Sequence, residues 1–338
     1  MNFSVQFKVR GDDFGGHFIN GISMADSESF WKCKLVSADD EKNVYESSDG
    51  YKITAYHIKK GDVFECYTVF ENNTDSVVTL DMISSFAITD LDFDTLHRAT
   101  SFWSAEGKML SQKLTDLNME RSWSGHGIRI EKFGQVGSMP VRKWFPFVAI
   151  ENSEKNEFIG VQLYIPSSWQ IELFRHKEPL TLLGGLADFD YGHWCKEIKP
   201  NESFTTPKAV VAVGDSLLKV CDMLVKAQQP DISPVDEDLP VIFNEYCTSW
   251  GNPTIENLEK TAKKLQGSGV KYLVMDSGWY KEDGKEWWDT IGDWNVNKSQ
   301  FPDGLKPVCD MIKSYGLIPG IWFEMENVAP LSQIYNET

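Results

Sequence analysis

The sequence lacks several things that would have narrowed its role at once. No run of about 18 apolar residues occurs, so a membrane-spanning helix is not expected. Positive charge is scarce: 33 Lys and Arg stand against 50 Asp and Glu in 338 residues, a formal net charge of −17. Such a surface repels phosphate, which argues against nucleic acid and against a membrane as partners. The six cysteines (Cys33, Cys66, Cys195, Cys221, Cys247, Cys309) lie far apart, with no Cys-x-x-Cys and no nearby His pair. They are expected to be reduced, mostly buried thiols, and no zinc site is expected. There is no Gly-x-Gly-x-x-Gly, no Walker loop and no Gly-x-Ser-x-Gly elbow. His97, His126 and His193 each stand alone, without a second ligand at metal spacing, so neither metal nor cofactor is expected. The first ten residues alternate apolar and polar side chains and lack the charged start and apolar core of a secretion signal. They are expected to form the first strand of a cytoplasmic protein.

What is present falls into two textures. Residues 1–213 carry short apolar or alternating runs between turn clusters, such as Phe64–Phe70, Phe145–Ile150, Phe158–Ile165 and Ala209–Val213. Many strands with no helix between them predict a large β-sandwich. Phe64–Phe70, the polar cluster Asn72–Ser76 and Val77–Leu80 are expected to form a hairpin. Residues 214–240 are expected to hold one helix, with Leu217, Leu218, Cys221, Leu224 and Val225 on its inner face, and then a linker. That linker, Pro230 to Pro240, has three prolines and the acids Asp231, Asp236, Glu237 and Asp238.

From residue 241 to 338 the texture becomes β then α, repeated. Val241–Phe243, Val270–Met275 and Ile318–Phe323 read as strands. A helix between the first two is expected to start with Asn252 as N-cap and Pro253 at its first position. A second, with Leu305, Val308, Met311, Ile312 and Tyr315 inward, stops at Gly316. Right-handed crossovers make such strands parallel.

In a parallel α/β unit, chemistry gathers at the carboxyl ends of the strands. These ends read Asn244-Glu245-Tyr246-Cys247-Thr248-Ser249-Trp250, Asp276-Ser277-Gly278-Trp279-Tyr280 and Trp322-Phe323-Glu324-Met325-Glu326-Asn327. Six of the twelve tryptophans, Trp250, Trp279, Trp287, Trp288, Trp294 and Trp322, fall at these ends or in the long loop after the second strand. Carboxylates accept hydrogen bonds from hydroxyls, and aromatic faces pack on the C–H face of a sugar ring. The combination suits a neutral small carbohydrate and no anion. For any single tryptophan, packing in the core is the competing reading.

Four motifs, in order, resemble the melibiases, the α-galactosidases of glycoside hydrolase family 36: Val274-Met275-Asp276-Ser277-Gly278-Trp279, Gly292-Asp293-Trp294-Asn295, Phe301-Pro302-Asp303-Gly304-Leu305-Lys306 and Gly320-Ile321-Trp322-Phe323-Glu324. Trp194, Pro200 and Glu202–Pro207 look like the closing strands of that family's sandwich, and His97 to Glu106 like its central part. The resemblance implies a large N-terminal β-sandwich followed by the beginning of a (β/α)₈ TIM barrel, here its strands one to three. It implies metal-free hydrolysis of terminal α-galactosyl residues with retention, by two carboxyl groups about 5–5.5 Å apart. In the family the nucleophile follows the fourth barrel strand and the acid/base the sixth, so both are expected downstream of Thr338 and neither is assigned here.

The resemblance carries over part of the sugar-binding half. Asp276 matches the first of two adjacent acids that hold the galactose 4- and 6-hydroxyls. Ser277 stands where the second acid is found, and exchanges a charge-assisted contact for a neutral one. Trp322 matches an aromatic pocket wall, and Trp250 is placed as another. Trp279 is expected to contact the sugar, and Asp293, Trp294 and Glu324 belong to the motifs as contacts or as supports from behind.

Two other readings remain open. One is a non-catalytic carbohydrate-binding or scaffold protein. The other is an enzyme of the same family acting on another α-glycoside, such as an α-N-acetylgalactosaminide, because of Ser277. Three parallel strands expose sheet edges and apolar faces, so self-association as a homo-oligomer is expected.

Overall fold

Alternating side chains over the first two-thirds of the chain become two antiparallel sheets. The computed structural model describes residues 1–13, 19–121, 127–176, 179–228, 232–235 and 237–337. These divide into two compact units, Met1–Gln229 and Pro230–Thr338.

In the first unit, a seven-stranded sheet is organised on the 14-residue strand Val78–Leu91. A ten-stranded sheet runs from Cys33–Ala38 at one edge to Lys108–Lys113 at the other. Their inner faces share one core, in which Phe86 and Ile88 of the first sheet pack with Val148, Ile150, Ile159 and Val211 of the second. Burying side chains of this size contributes about 1.5–3 kcal/mol each, which is what holds sheet on sheet. The N-terminal strand is broken in two, Asn2–Ser4 and Phe7–Val9, both paired with Val78–Leu91.

The expected hairpin does not form. Val63–Asn72 pairs with Tyr51–Lys60 and Ala209–Gly214 in the ten-stranded sheet, whereas Val78–Leu91 lies in the other. Asn72 explains the difference. Its buried amide donates to the carbonyls of Ser76 (2.8 Å) and Ile198 (2.9 Å), and its Oδ1 accepts from the Thr74 N–H (3.0 Å). The side chain ties a bend that hands the chain across the sandwich, and such a bend has the same composition as a hairpin turn.

The helix Leu217–Gln228 packs on the first unit through Val220 and Leu224, against Ala149, Phe158, Val210 and Ala212. Two residues expected on its inner face, Leu218 and Val225, are 81% and 64% exposed. The helix is rotated because Gly160 leaves a hollow under it: a Cβ there would come within 3.1 Å of Val220.

In the second unit Val241–Asn244, Val270–Met275 and Ile318–Ile321 form a parallel sheet in that order. The helices Ile255–Leu265 and Lys306–Ser314 pack their inner residues Leu258, Ala262, Val308 and Ile312 with Leu273 and Met275 of the second strand. Thr254, not Asn252, caps the first helix, its Oγ1 accepting from the Asn257 N–H at 3.2 Å. Pro253 therefore stands just outside the helix. The third strand ends two residues earlier than expected. Pro230, Asp231 and Asp236 of the expected linker lie outside the described residues.

All six cysteines are free, but only Cys66 is buried; Cys195 and Cys247 are exposed and the others half-buried. Among the described residues no helix is long and apolar enough to cross a membrane.

Candidate functional site

The two parallel ladders of the second unit continue one residue past their strands. The Glu245 N–H donates to the Val274 carbonyl at 3.1 Å, and the Trp322 N–H to the Met275 carbonyl at 3.0 Å. Asn244–Glu245, Asp276 and Trp322 are thereby brought side by side at one edge.

Asp276 is 8% exposed, and each of its carboxylate oxygens accepts one hydrogen bond. Its Oδ2 accepts from Asn244 Nδ2 at 2.6 Å and its Oδ1 from the Ser277 N–H at 2.6 Å. Its own N–H donates to Glu245 Oε1 at 3.2 Å. Burial pushes the Glu245 carboxyl above the usual carboxylate range; bonds from Ser249 and the Asp276 N–H pull it back, and the Asp276 charge pushes it up again. Ser277 is completely buried, and its hydroxyl has no partner among the described residues.

The indoles separate into two kinds. Trp279 is 2% exposed, donates its Nε1–H to the Trp322 carbonyl at 3.0 Å, stacks on Trp294 with centroids 6.1 Å apart and meets Phe323 edge-on at 5.2 Å. It offers no open face, so its expected contact with ligand is corrected to support of the third strand. Trp294 and Trp322 are half-buried and meet edge to face at 6.1 Å. Trp250 is 71% exposed. It closes the short helix Tyr246–Ser249 in the left-handed conformation, φ 53°, and leans on Tyr246 at 5.6 Å.

The remaining acids differ in kind. Asp293 accepts the N–H groups of Gln333 (2.8 Å) and Ile334 (3.1 Å) at the start of the helix Gln333–Glu337. Each of its oxygens accepts one N–H from that helix end, which gives it a capping role, one of the two roles expected of it. Glu324 is half-buried and accepts the Glu326 N–H at 3.1 Å.

Three neighbours were not singled out from sequence: Asn244, Glu245 and Tyr280. The first two could have been found from their place directly after the first strand. Tyr280 is buried, with no partner for its hydroxyl among the described residues. Burial raises its pKa strongly, and the charges of Asp276 and Glu324 add to the rise.

Two glycines lock the loops under this site. Gly278 has φ +100°, and a Cβ on it would fall 2.0 Å from the Gly251 carbonyl oxygen. A Cβ on Gly251, φ +79°, would fall 2.3 Å from the Trp287 ring. The clearest hollows in the structure, about 190 to 700 Å³, are lined by other residues.

His97 lies buried between Ser111 Oγ (2.8 Å) and Glu151 Oε2 (3.0 Å), and His193 closes the short helix Phe189–Gly192. His126 lies outside the described residues. Among those described, no group of three or more His, Cys, Asp or Glu is placed to hold a metal.

Residues 203–338 match the melibiase family model. Over that stretch the chain is similar to the melibiases. The melibiase stretch takes in the last two strands of the first unit, the helix Leu217–Gln228 and the entire second unit. The chain is 25% identical over 233 residues to α-galactosidase Mel36A of Lactobacillus acidophilus, covering 66% of this chain and 31% of that protein. Against the probable α-galactosidase G of Emericella nidulans it is 25% identical over 286 residues, covering 79% and 37%. It therefore spans about a third of the length of these curated relatives. The fold of 99% of the chain superimposes on 46% of the family 36 α-galactosidase AgaA from Geobacillus stearothermophilus, with a TM-score of 0.74 and 19% identity.

Proposed function

We propose that this chain forms part of a retaining glycosidase of the α-galactosidase type, and that its strand tips hold part of the pocket for a terminal α-galactosyl residue. In this reading the first unit is the N-terminal sandwich of the enzyme. The three parallel strands are the first three of a (β/α)₈ barrel. The two bond-breaking carboxyl groups belong after the fourth and sixth strands, so the reading assigns neither to residues 1–338.

Asp276 is the observation that carries the reading. Its carboxylate has one protein donor on each oxygen, from Asn244 and from the Ser277 N–H. Each oxygen keeps a second acceptor position, so the group can take two more donors, which matches a pair of sugar hydroxyls. The half-buried Trp322 after the third strand and the open Trp250 after the first offer aromatic surfaces suited to a sugar C–H face. The relatives are α-galactosidases, and variants of the G. stearothermophilus enzyme have been crystallised with stachyose and with raffinose.

The test has two parts. The product of the whole reading frame should hydrolyse p-nitrophenyl α-galactoside, and Asp276→Ala should cut its kcat/KM by at least ~100-fold, since a charge-assisted hydrogen bond contributes about 1.5–3 kcal/mol and this group makes two. Inactivity on every α-glycoside, together with sugar binding, would favour the non-catalytic reading. Ser277 supports a variant of the main one: an uncharged hydroxyl stands beside Asp276, so a different α-glycoside, such as an α-N-acetylgalactosaminide, belongs in the substrate panel.

A further inference from the structure

The geometry points to Asn244 and Glu245 as a pair of positioning residues that fix Asp276 from the neighbouring strand, one through its carboxylate and the other through its backbone. The inference rests on the sugar-site reading for its consequence, but its geometry stands apart from it.

The Asn244 amide has a defined orientation. Its Oδ1 accepts the Tyr246 N–H at 2.9 Å, which leaves Nδ2 as the end that faces Asp276, at 2.6 Å from Oδ2. The amide thus meets Asp276 only as a donor, so the Asp276 oxygen it faces serves as an acceptor. Glu245 works one bond deeper. It is buried, and its Oε1 accepts the Asp276 N–H at 3.2 Å, while its own N–H continues the ladder to Val274. The backbone of Asp276 is therefore tied to the first strand just where the ladder between the first and second strands ends. An acceptor is all that this contact requires of residue 245, so Gln can replace Glu there, whereas Ala cannot.

Four variants of the 338-residue chain test the pair: Asn244→Ala, Asn244→Asp, Glu245→Ala and Glu245→Gln. Two readouts need no sugar. Hydrogen exchange at the Asp276 amide should quicken at least tenfold in Glu245→Ala, and Glu245→Gln should restore most of the protection. Carbodiimide modification of Asp276, followed by peptide mapping, should quicken several-fold in Asn244→Ala. The third readout is galactose binding by calorimetry. Asn244→Ala should weaken it at least tenfold at every pH from 5 to 8. Asn244→Asp sets two carboxylates side by side, so binding should be lost at pH 8 and recover toward pH 5 as the pair takes up a shared proton. A merely structural role for Asn244 would not produce that pH profile. Unchanged exchange and unchanged modification would overturn the positioning. If both change as expected and the product of the whole reading frame neither binds galactose nor hydrolyses any α-galactoside, the sugar reading fails and the positioning stands.

Discussion

At the scale of single residues, the candidate site is made by groups with strict neighbours. Gly278 can take no side chain, because its φ is +100° and a Cβ would lie 2.0 Å from the Gly251 carbonyl oxygen. Gly278→Ala is expected to destabilise the second unit by at least ~1–3 kcal/mol, measured by urea unfolding, since strain of this kind adds to a backbone clash. Asp293 makes a sharper contrast. As the cap of Gln333–Glu337 it should cost about 1 kcal/mol on change to Ala and leave galactose affinity unaltered. A loss of affinity in Asp293→Ala would return it to the ligand. The place of Asp276 directly after the second strand was legible because a carboxylate follows the apolar run Val270–Met275. The covered state of Trp279 was not legible, because an indole in a wall and an indole behind it carry the same sequence signal.

At the scale of elements, the helix Leu217–Gln228 shows how packing decides among equivalent faces. Leu224 is buried against the sheet while Leu218 is bare. Leu224→Ala should cost about 2–5 kcal/mol. Leu218→Ala should stay within ~0.5 kcal/mol. Chemical denaturation of the two variants compares them directly. The edge of the ten-stranded sheet is tied in by charge. Burial disfavours ionised Asp94, but bonds from Lys113 Nζ (2.6 Å), the Ser153 hydroxyl (2.6 Å) and the Thr95 hydroxyl (2.5 Å) outweigh it and hold the carboxyl well below its usual range. A folded-state pKa below the unfolded one means stability that is present above about pH 4 and lost as pH falls toward the folded value. Asp94→Asn should therefore lower Tm by a constant amount from pH 5 to 8, and the gap should close below about pH 4.

At the scale of the whole molecule, the second unit leaves apolar strand residues in solvent. Val241 and Ile242 on the first strand are 57% and 61% exposed, and both outer strands of the three-stranded sheet are edges. Bare edges and apolar side chains together promote association. Light scattering at micromolar concentration is expected to show species larger than a monomer, and Ile242→Lys should shift the distribution toward monomer. A clean monomer for the unmutated chain would contradict this.

By itself the sequence determined the order of textures: a long β region, one helix, then alternating strand and helix with acids and indoles after each strand. Those features are local, since periodicity and turn composition act over a few residues. Only the tertiary structure decided which sheet Val78–Leu91 joins, which helix face meets Gly160, and which indole stays open. It also decided that Asn244 and Glu245 grip Asp276 across a parallel ladder. Each of these depends on partners tens of residues away in the chain, and a local pattern holds no record of them.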